Sequence, residues 1–244
     1  MSAEPQKPET PPPSGHEPIF LLPGAITALV GVLVAVHLAS TLVLNPEGQG
    51  ELVLWFAFQP YRIVLAGYDP SFAMPLLWTP FSHAFLHAGW EHLLINVAWL
   101  VIFATPVARR YGAGPMLALF LLSAAGGAAL FAATTLHSQI YLIGASGGVA
   151  GLTGAAIRFI FQPILVGRDP ETGERVVLGR RLATIAGVFV NPRSRWFTLI
   201  WLALNAAVPL VPLLTGTSLS IAWQAHLGGF ATGFLLVGLF ERKV

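Results

Sequence analysis

The sequence contains no cysteine and few charged residues. Without cysteine the chain cannot form disulfides, use a thiol nucleophile or bind a metal through thiolates. Charged residues make up 10% of the 244 residues and hydrophobic residues 55%. The water-exposed surface of a soluble domain does not tolerate such a composition, so the chain is predicted to be an integral membrane protein.

Charges are absent from two long intervals, residues 112–157 and 196–240. Apolar runs long enough to cross about 30 Å of hydrocarbon predict six transmembrane helices. The runs cover about residues 19–44, 91–108, 114–135, 146–163, 196–214 and 221–240. We find no internal repeat. The predicted fold class is therefore all-α, a polytopic membrane protein with one helical domain over residues 19–244.

The positive charges indicate the orientation of this domain. Residues 1–18 contain six prolines and are predicted to form a disordered tail. If that tail is cytoplasmic, alternation of the six spans places twelve of the thirteen Lys and Arg residues inside, with Arg62 as the exception. Both termini and an arginine-rich loop at about 164–195 are then expected to be cytoplasmic.

Ser146 begins the fourth predicted span within a run of small residues, YLIGASGGVAGLTGA. At the outer end of a helix, its hydroxyl lies near unpaired backbone N–H groups and the positive end of the helix dipole, which stabilise an oxyanion. The small residues also permit a plainer interpretation, which is compatible with the first. That interpretation is close helix packing through one face formed by Gly147, Ala150, Gly151 and Gly154.

His226 is the one titratable residue of the sixth predicted span. Gly229 and Gly233 follow it on the same face, which can therefore approach the small face of the fourth span closely. Close approach can bring Ser146 and His226 to a hydrogen-bonding distance of about 2.6–3.2 Å. A lone histidine in a span more often joins helices, but an ionisable group inside a membrane is a functional candidate by default.

A third polar cluster lies in the segment SHAFLHAGWEHLLIN. Gly89 is expected to interrupt this segment and to leave His83 and His87 on a turn before the second span. His92 and Asn96 then lie one helical turn apart and can donate hydrogen bonds to a developing oxyanion. Interfacial polar residues satisfied by water and backbone are the alternative, which we favour for His83 and His87.

Two other chemistries are not favoured by these residues. The histidine pair in HAFLH lacks the glutamate of a zinc-binding HExxH helix, and the later spans contain no carboxylate. The string GASGG matches the GxSxG nucleophile elbow, but that motif requires the strand–turn–helix of an α/β sheet. We therefore expect no metal and no cofactor.

Three segments together resemble the rhomboid family of intramembrane serine proteases. They are HAFLHAGWEHLLIN in the first loop and second span, GASG at the start of the fourth span, and AHLGGFATG in the sixth. The resemblance covers about residues 20–242 and implies a six-transmembrane-helix rhomboid-like bundle. It also implies a hydrolase with a serine–histidine dyad and no carboxylate, in the plasma (inner) membrane of a bacterium.

The resemblance further implies a role for each matching residue. Ser146 is the expected nucleophile, and His226 is the expected general base and acid. The implied oxyanion hole consists of His92, Asn96 and the Ser146 backbone N–H, and the implied active-site cavity includes His87, Gly144 and Gly147. The expected partners are the lipid bilayer and single-span membrane proteins, cut at or near the outer membrane surface, and no nucleic acid.

The chain departs from the family's usual pattern at three positions. Ala150 stands where a Tyr or Phe usually braces the histidine ring. Thr79 stands where an Arg usually follows Trp78, and Ala108 where a glutamate is common. Ala150 motivates an alternative function, a proteolytically inactive rhomboid-like protein that binds transmembrane helices. A transporter is less favoured because the spans contain no paired charges and no inverted repeat.

Overall fold

The computed structural model describes residues 22–210 and 222–241. The first half comprises α1 (Gly24–Leu38) with a π-helical extension (Ala39–Val43), α2 (Pro46–Phe56), α3 (Tyr61–Leu65), a 3₁₀ helix (Pro70–Leu77), α4 (Thr79–Ser82), a 3₁₀ turn (His83–Phe85), α5 (Trp90–Tyr111) and α6 (Ala113–Thr135). The second half comprises α7 (Ser146–Ile160), β1 (Ile164–Arg168), β2 (Arg175–Arg180), α8 (Ile185–Val190), α9 (Pro192–Ala207), α10 (Trp223–Leu236) and a 3₁₀ turn (Val237–Phe240). The predicted tail, residues 1–18, lies outside the described residues.

Three of these helices are long and apolar enough to cross a membrane, namely Gly24–Val43, Trp90–Tyr111 and Ala113–Thr135. They coincide with the first three predicted spans and indicate an integral membrane protein, as the composition predicted. Helices α7, α9 and α10 have 15, 16 and 14 residues. At 1.5 Å per residue they are about 21–24 Å long, which is shorter than the hydrocarbon layer.

The count of six spans therefore stays a prediction. The fifth and sixth predicted spans, 196–214 and 221–240, both extend into residues 211–221, which lie outside the described residues. The fourth coincides with α7, whose residues from Gly147 to Phe159 are all buried by neighbouring helices. A helix surrounded by protein is not required to match the bilayer thickness by its own length.

The predicted inner loop at about 164–195 contains regular structure that the sequence analysis did not identify. Strands β1 and β2 form an antiparallel hairpin, and α8 follows it. The Asp169 carboxylate closes the hairpin turn by accepting the backbone N–H groups of Glu171 and Thr172 at 2.8 and 2.9 Å. The chain is thus mostly helical and not all-α as predicted. The sequence analysis missed the two strands because they are too short to show a clear periodic pattern.

The segment between α1 and α5 folds into short helices tied together by side chains. The rings of Trp55 and Trp78 stack with centroids 6.5 Å apart, and Trp78 Nε1 donates to the Trp55 carbonyl at 2.7 Å. The Arg62 guanidinium donates to the carbonyl of Leu54. Arg62, the one cation that did not follow the predicted charge distribution, is therefore a buried hydrogen-bond donor within this segment.

Helix α7 lies in the centre of the structure and packs against α6 and α10 through glycines. A methyl group on Gly154 would lie 2.5 Å from the carbonyl oxygen of Phe230. A methyl group on Gly229 or Gly233 would overlap the backbone of Gly147 or Gly151. The backbones of α7 and α10 are therefore in direct contact, which only residues without a side chain permit.

Candidate active site

A cavity of about 210 Å³ opens beside the start of α7. Its lining includes Asn96 of α5, Ser146 and Ala150 of α7, Trp201 and Asn205 of α9, and His226 of α10. The fold thus brings the predicted nucleophile, the predicted base and one predicted oxyanion-hole residue to one space. No hydrogen bond joins Ser146 to His226 among the described residues. Catalytic hydrogen bonds are often long before substrate binds.

Ser146 is the first residue of α7. The first backbone hydrogen bond of the helix runs from the Val149 N–H to the Ala145 carbonyl at 2.9 Å. The N–H groups of Ser146 and Gly147 therefore have no acceptor within the helix. They point along the helix axis beside the serine hydroxyl, where they favour negative charge.

Gly144, two residues before Ser146, shapes the approach to the helix. Its φ of +114° lies in the left-handed region, and its N–H donates to the His83 carbonyl at 2.9 Å. A methyl group here would lie 2.7 Å from Cε1 of His92 and 3.8 Å from Nδ2 of Asn96. A glycine at this position therefore lets the chain pass close to the side chains of His92 and Asn96.

The side-chain amide of Asn96 makes one hydrogen bond among the described residues. Its side chain is buried, and Nδ2 donates to the His92 carbonyl one turn earlier at 3.0 Å. An amide nitrogen carries two hydrogens, so this bond leaves the second one for another acceptor. Since Asn96 lines the cavity with Ser146, that acceptor can be an oxygen formed beside the serine.

His87 adjoins the start of α7 from the turn before α5. Its Nε2 accepts the backbone N–H of Ala145 at 3.4 Å, and its ring lies 5.1 Å from that of His92. Burial lowers the pKa of His87 to about 4, with smaller effects from the positive forms of His92 and His37. His87 is thus neutral near pH 7, as its role of hydrogen-bond acceptor requires.

Four predicted residues do not line the cavity itself, although all lie close to the serine in the fold. His87, His92, Gly144 and Gly147 are absent from its lining. The four glycines assigned to helix packing lie where α7 meets α10, namely Gly151, Gly154, Gly229 and Gly233. No three His, Asp or Glu side chains within 22–210 and 222–241 are arranged to hold a metal ion.

His226 has a hydrogen-bond partner that the sequence analysis did not identify. Its Nδ1 lies 2.8 Å from Oδ1 of Asn205, whose Nδ2 donates to the Trp201 carbonyl at 2.8 Å. An amide oxygen only accepts, so Nδ1 of His226 carries the hydrogen and Nε2 keeps its lone pair. A general base needs this tautomer if it is to take a proton through Nε2.

A signal for Asn205 was present in the sequence. It is the one amide in an otherwise apolar predicted span, and a polar group at such a position marks a helix contact or a functional site. Its partner was not evident, because Asn205 and His226 are 21 residues apart on different helices. Trp201 was likewise not identified as a cavity residue.

Sequence comparison with known proteins finds similarity to one family. The sequence profile of the Rhomboid domain matches residues 75–243, which include Asn96, Ser146 and His226. Rhomboid protease GlpG of Klebsiella pneumoniae is 25% identical over 199 residues, covering 82% of this chain and 63% of that protein.

Two plant proteins are also similar. RHOMBOID-like protein 1 of Arabidopsis thaliana is 28% identical over 166 residues, 67% of this chain and 34% of that protein. RHOMBOID-like protein 4 of the same plant is 30% identical over 159 residues, 65% of this chain and 33% of that protein. The chain therefore spans less than two thirds of the length of these relatives. The family resemblance seen in the three sequence motifs is confirmed, and the chain belongs to the rhomboid family.

Proposed function

We propose that the chain is an intramembrane serine protease that cuts single-span membrane proteins at or near the outer membrane surface, with Ser146 as nucleophile and His226 as base. The observation that carries this proposal is one cavity lined by Ser146, His226 and Asn96. The Asn205 hydrogen bond also leaves Nε2 of His226 free to accept a proton. The similarity to a relative named rhomboid protease supports the same conclusion.

The first half of the proposed reaction forms an acyl-enzyme. The Ser146 oxygen attacks the peptide carbonyl carbon while its proton passes to Nε2 of His226. The carbonyl oxygen becomes an oxyanion that accepts hydrogen bonds from Asn96, His92 and the first backbone N–H groups of α7. The C–N bond then breaks, and His226 gives its proton to the leaving amine nitrogen.

The second half hydrolyses the acyl-enzyme with water from the outer aqueous phase. His226 removes a proton from water as the water oxygen attacks the ester carbon. The bond between the Ser146 oxygen and that carbon breaks, and the serine recovers its proton from His226. The products are a carboxylic acid and the amine released earlier, and the enzyme returns to its starting state.

The size of the cavity indicates which substrates fit. At about 210 Å³ it is smaller than drug-sized ligand pockets of about 300–1,000 Å³, so it suits a small side chain beside the cleaved bond. A regular transmembrane helix hides its carbonyl groups in its own hydrogen bonds. The proposed substrate is therefore a single-span helix with small and helix-breaking residues near the cut.

The test of this function uses the purified chain in vesicles with a generic single-span substrate and a serine-directed fluorophosphonate probe. The native chain should cleave the substrate and react with the probe, and Ser146→Ala should do neither. Ser138→Ala, in the loop before α7, is the matched control and should retain both activities. Cleavage that persists in Ser146→Ala would eliminate the proposed nucleophile.

Asn96→Ala tests the oxyanion hole. Loss of one such donor lowers kcat by about a hundredfold or more in other serine enzymes, and we expect a similar loss here. The unfolding temperature should change little, because the Asn96 side chain bonds only to the carbonyl of the preceding turn among the described residues. An unchanged kcat would remove Asn96 from the mechanism.

A second function, an inactive protein that binds transmembrane helices, is favoured by Ala150 at the position of the usual bracing aromatic. In that event the native chain neither cleaves the substrate nor reacts with the probe, yet still co-purifies with the single-span helix. The same vesicle experiment therefore separates the two functions.

We also propose the topology that accompanies this function, namely six spans with both termini on the cytoplasmic side of a bacterial plasma membrane. The absence of cysteine permits a direct test with single-cysteine variants. His137→Cys, between α6 and α7, should react with a membrane-impermeant maleimide added outside intact cells. Thr172→Cys, in the hairpin turn, should react only after permeabilisation, and the reverse pattern would contradict the proposed orientation.

A further inference from the structure

We propose that Asn205 is a positioning residue that holds the His226 imidazole in the tautomer and orientation required for catalysis, so that the catalytic unit is Ser146–His226–Asn205. This inference rests on the proposed protease function. It assigns a role to α9, which carries none of the residues implied by the family motifs.

The geometry around Asn205 leaves its amide one orientation. Nδ2 donates to the Trp201 carbonyl in the preceding turn of α9 at 2.8 Å, which directs Oδ1 away from the helix. Oδ1 then accepts from Nδ1 of His226 at 2.8 Å. A flipped amide would lose the bond to Trp201, because Oδ1 of Asn205 and the Trp201 carbonyl oxygen are both acceptors.

A second contact one turn along each helix reinforces the first. The rings of Trp201 and Phe230 stack with centroids 4.6 Å apart and an interplanar angle of 23°. Trp201 precedes Asn205 by four residues, and Phe230 follows His226 by four, so each helix presents an aromatic and a polar group on one face. The stacked rings set the register that places Asn205 against His226.

These contacts account for Ala150. The resemblance implies an aromatic brace at this position of α7, but a methyl group cannot restrain an imidazole. Ala150 instead packs in a buried cluster with Phe230, against which Trp201 also packs. The aromatic volume is thus supplied from α9 and α10, and the orientation of the imidazole is supplied by the Asn205 hydrogen bond.

Few other titratable or charged groups lie near His226. The Asn205 amide is therefore the main polar group that orients the imidazole. His92 on α5 is the titratable residue that acts on His226. Helix α6 contains no titratable side chain. Arg158 of α7 lies at the far end of that helix, where it donates to the carbonyls of Ala183 and Phe234. Within the described residues, no carboxylate lines the cavity.

One consequence concerns α9 itself. The acceptor is on α9 and the imidazole is on α10, so the hydrogen bond exists only while α9 lies against α10. The base therefore has its correct tautomer only in that arrangement of the two helices.

The experiment compares Asn205→Leu, which keeps the volume but removes the acceptor, with Asn205→Asp, which restores an acceptor. We expect Asn205→Leu to lower kcat at least about tenfold with KM within about twofold, because the transition state loses a correctly oriented base. Asn205→Asp should recover most of this activity. The acid limb of its kcat profile should lie at higher pH, since a carboxylate stabilises the imidazolium. Leu204→Ala, on the exposed face of α9, is the control and should match the native chain.

An Asn205→Leu variant with the kcat and the pH profile of the native chain would overturn the inference. An equal loss of kcat in Asn205→Leu and Asn205→Asp would overturn it too. If Asn205→Leu does not fold, ¹⁵N NMR of the native chain labelled at histidine still decides. His226 should then be protonated at Nδ1, and protonation at Nε2 in the neutral ring would overturn the proposal. A native chain that shows no Ser146-dependent cleavage but has the Nδ1–H tautomer contradicts the protease function and leaves the hydrogen bond established.

Discussion

Helix α10 meets its two neighbours in different ways. Against α7 it presents glycines, and the two backbones touch with no side chain between them. Against α9 it presents His226 and Phe230, which meet Asn205 and Trp201 through a hydrogen bond and a ring stack. The glycine contact sets where the histidine-bearing helix lies, and the side-chain contact sets how the imidazole is turned.

The difference follows from how each contact responds to change. Two backbones in van der Waals contact cannot approach further, and any added atom must push the helices apart. Side chains can adopt other rotamers, so a contact made by them can adjust to a substitution. We therefore expect the glycine contact to be the less tolerant of the two.

The largest effect is expected for Gly229→Leu. A side chain here overlaps the backbone of Gly147, so α10 must move away from α7. Overpacking of this kind costs about 1–3 kcal/mol or more, and a displacement of about 1 Å at a catalytic group can reduce the rate about a hundredfold. We expect a lower unfolding temperature in detergent and loss of cleavage. Gly31→Leu, on an exposed face of α1 with no atom within 4 Å of the added Cβ, should behave as the native chain. Equal behaviour of the two variants would refute the glycine contact.

Gly144→Ala should produce the next largest effect. The substitution forces a non-glycine residue into φ +114° and pushes its methyl group against the His92 ring. Gly112→Ala is a matched control, since Gly112 has φ +88° but no atom within 4 Å of the added methyl group. Both variants should lose stability through backbone strain of about 1–3 kcal/mol. A loss of kcat of about tenfold or more should occur only in Gly144→Ala. An equal loss of kcat in both variants would show that the contact between residue 144 and His92 does not affect catalysis.

Trp201→Ala tests the side-chain contact and should have a smaller effect than Gly229→Leu. Loss of the stack with Phe230 removes about 0.5–1.5 kcal/mol beyond the buried area. Trp201→Phe should recover most of this stability, since another aromatic ring can pack in the same place. Trp196→Ala, an exposed residue of the same helix, should have little effect on the unfolding temperature. If Trp201→Ala destabilises the chain more than Gly229→Leu does, the comparison between the two contacts is wrong.

The effect expected to be smallest at neutral pH concerns the segment that precedes α7, and it grows as the pH falls. His83 is 1% exposed, donates from Nδ1 to the Thr79 carbonyl at 2.9 Å, and accepts the Gly144 N–H through its own carbonyl. Burial lowers the pKa of His83 from 6.5 to about 4. The unfolded chain therefore binds a proton at this residue between pH 6.5 and 4 while the folded chain does not.

Stability should consequently fall as the pH falls from about 6.5 to 4, and the unfolding temperature measured across this range should show it. His83→Asn should make the dependence shallower without removing it, because burial lowers the pKa of His87 to about 4 as well. A pH dependence identical in the native chain and in His83→Asn would assign the effect to other groups.

The extent of prediction from sequence can be judged at particular residues. The first three spans and the family followed from apolar runs and from three short motifs. The hairpin of β1 and β2 and the role of Arg62 as a donor to Leu54 did not follow. Apolar length and small-residue spacing are properties of a single segment. These contacts each join two segments, and the residue pattern of one segment does not indicate which other segment it will contact.

The candidate site also has some features that the sequence predicts and others that only the tertiary structure shows. The residue types along the chain were enough to select Ser146, His226, His92 and Asn96 as candidates, because a hydroxyl, an imidazole and an amide are conspicuous in apolar helices. That Asn205 faces His226, and that Gly144 passes against His92, depends on the rotation and register of packed helices. A hydrogen bond tolerates only a few tenths of an ångström, about 2.7–3.2 Å in all, and a linear pattern of residues cannot specify a distance between helices to that precision.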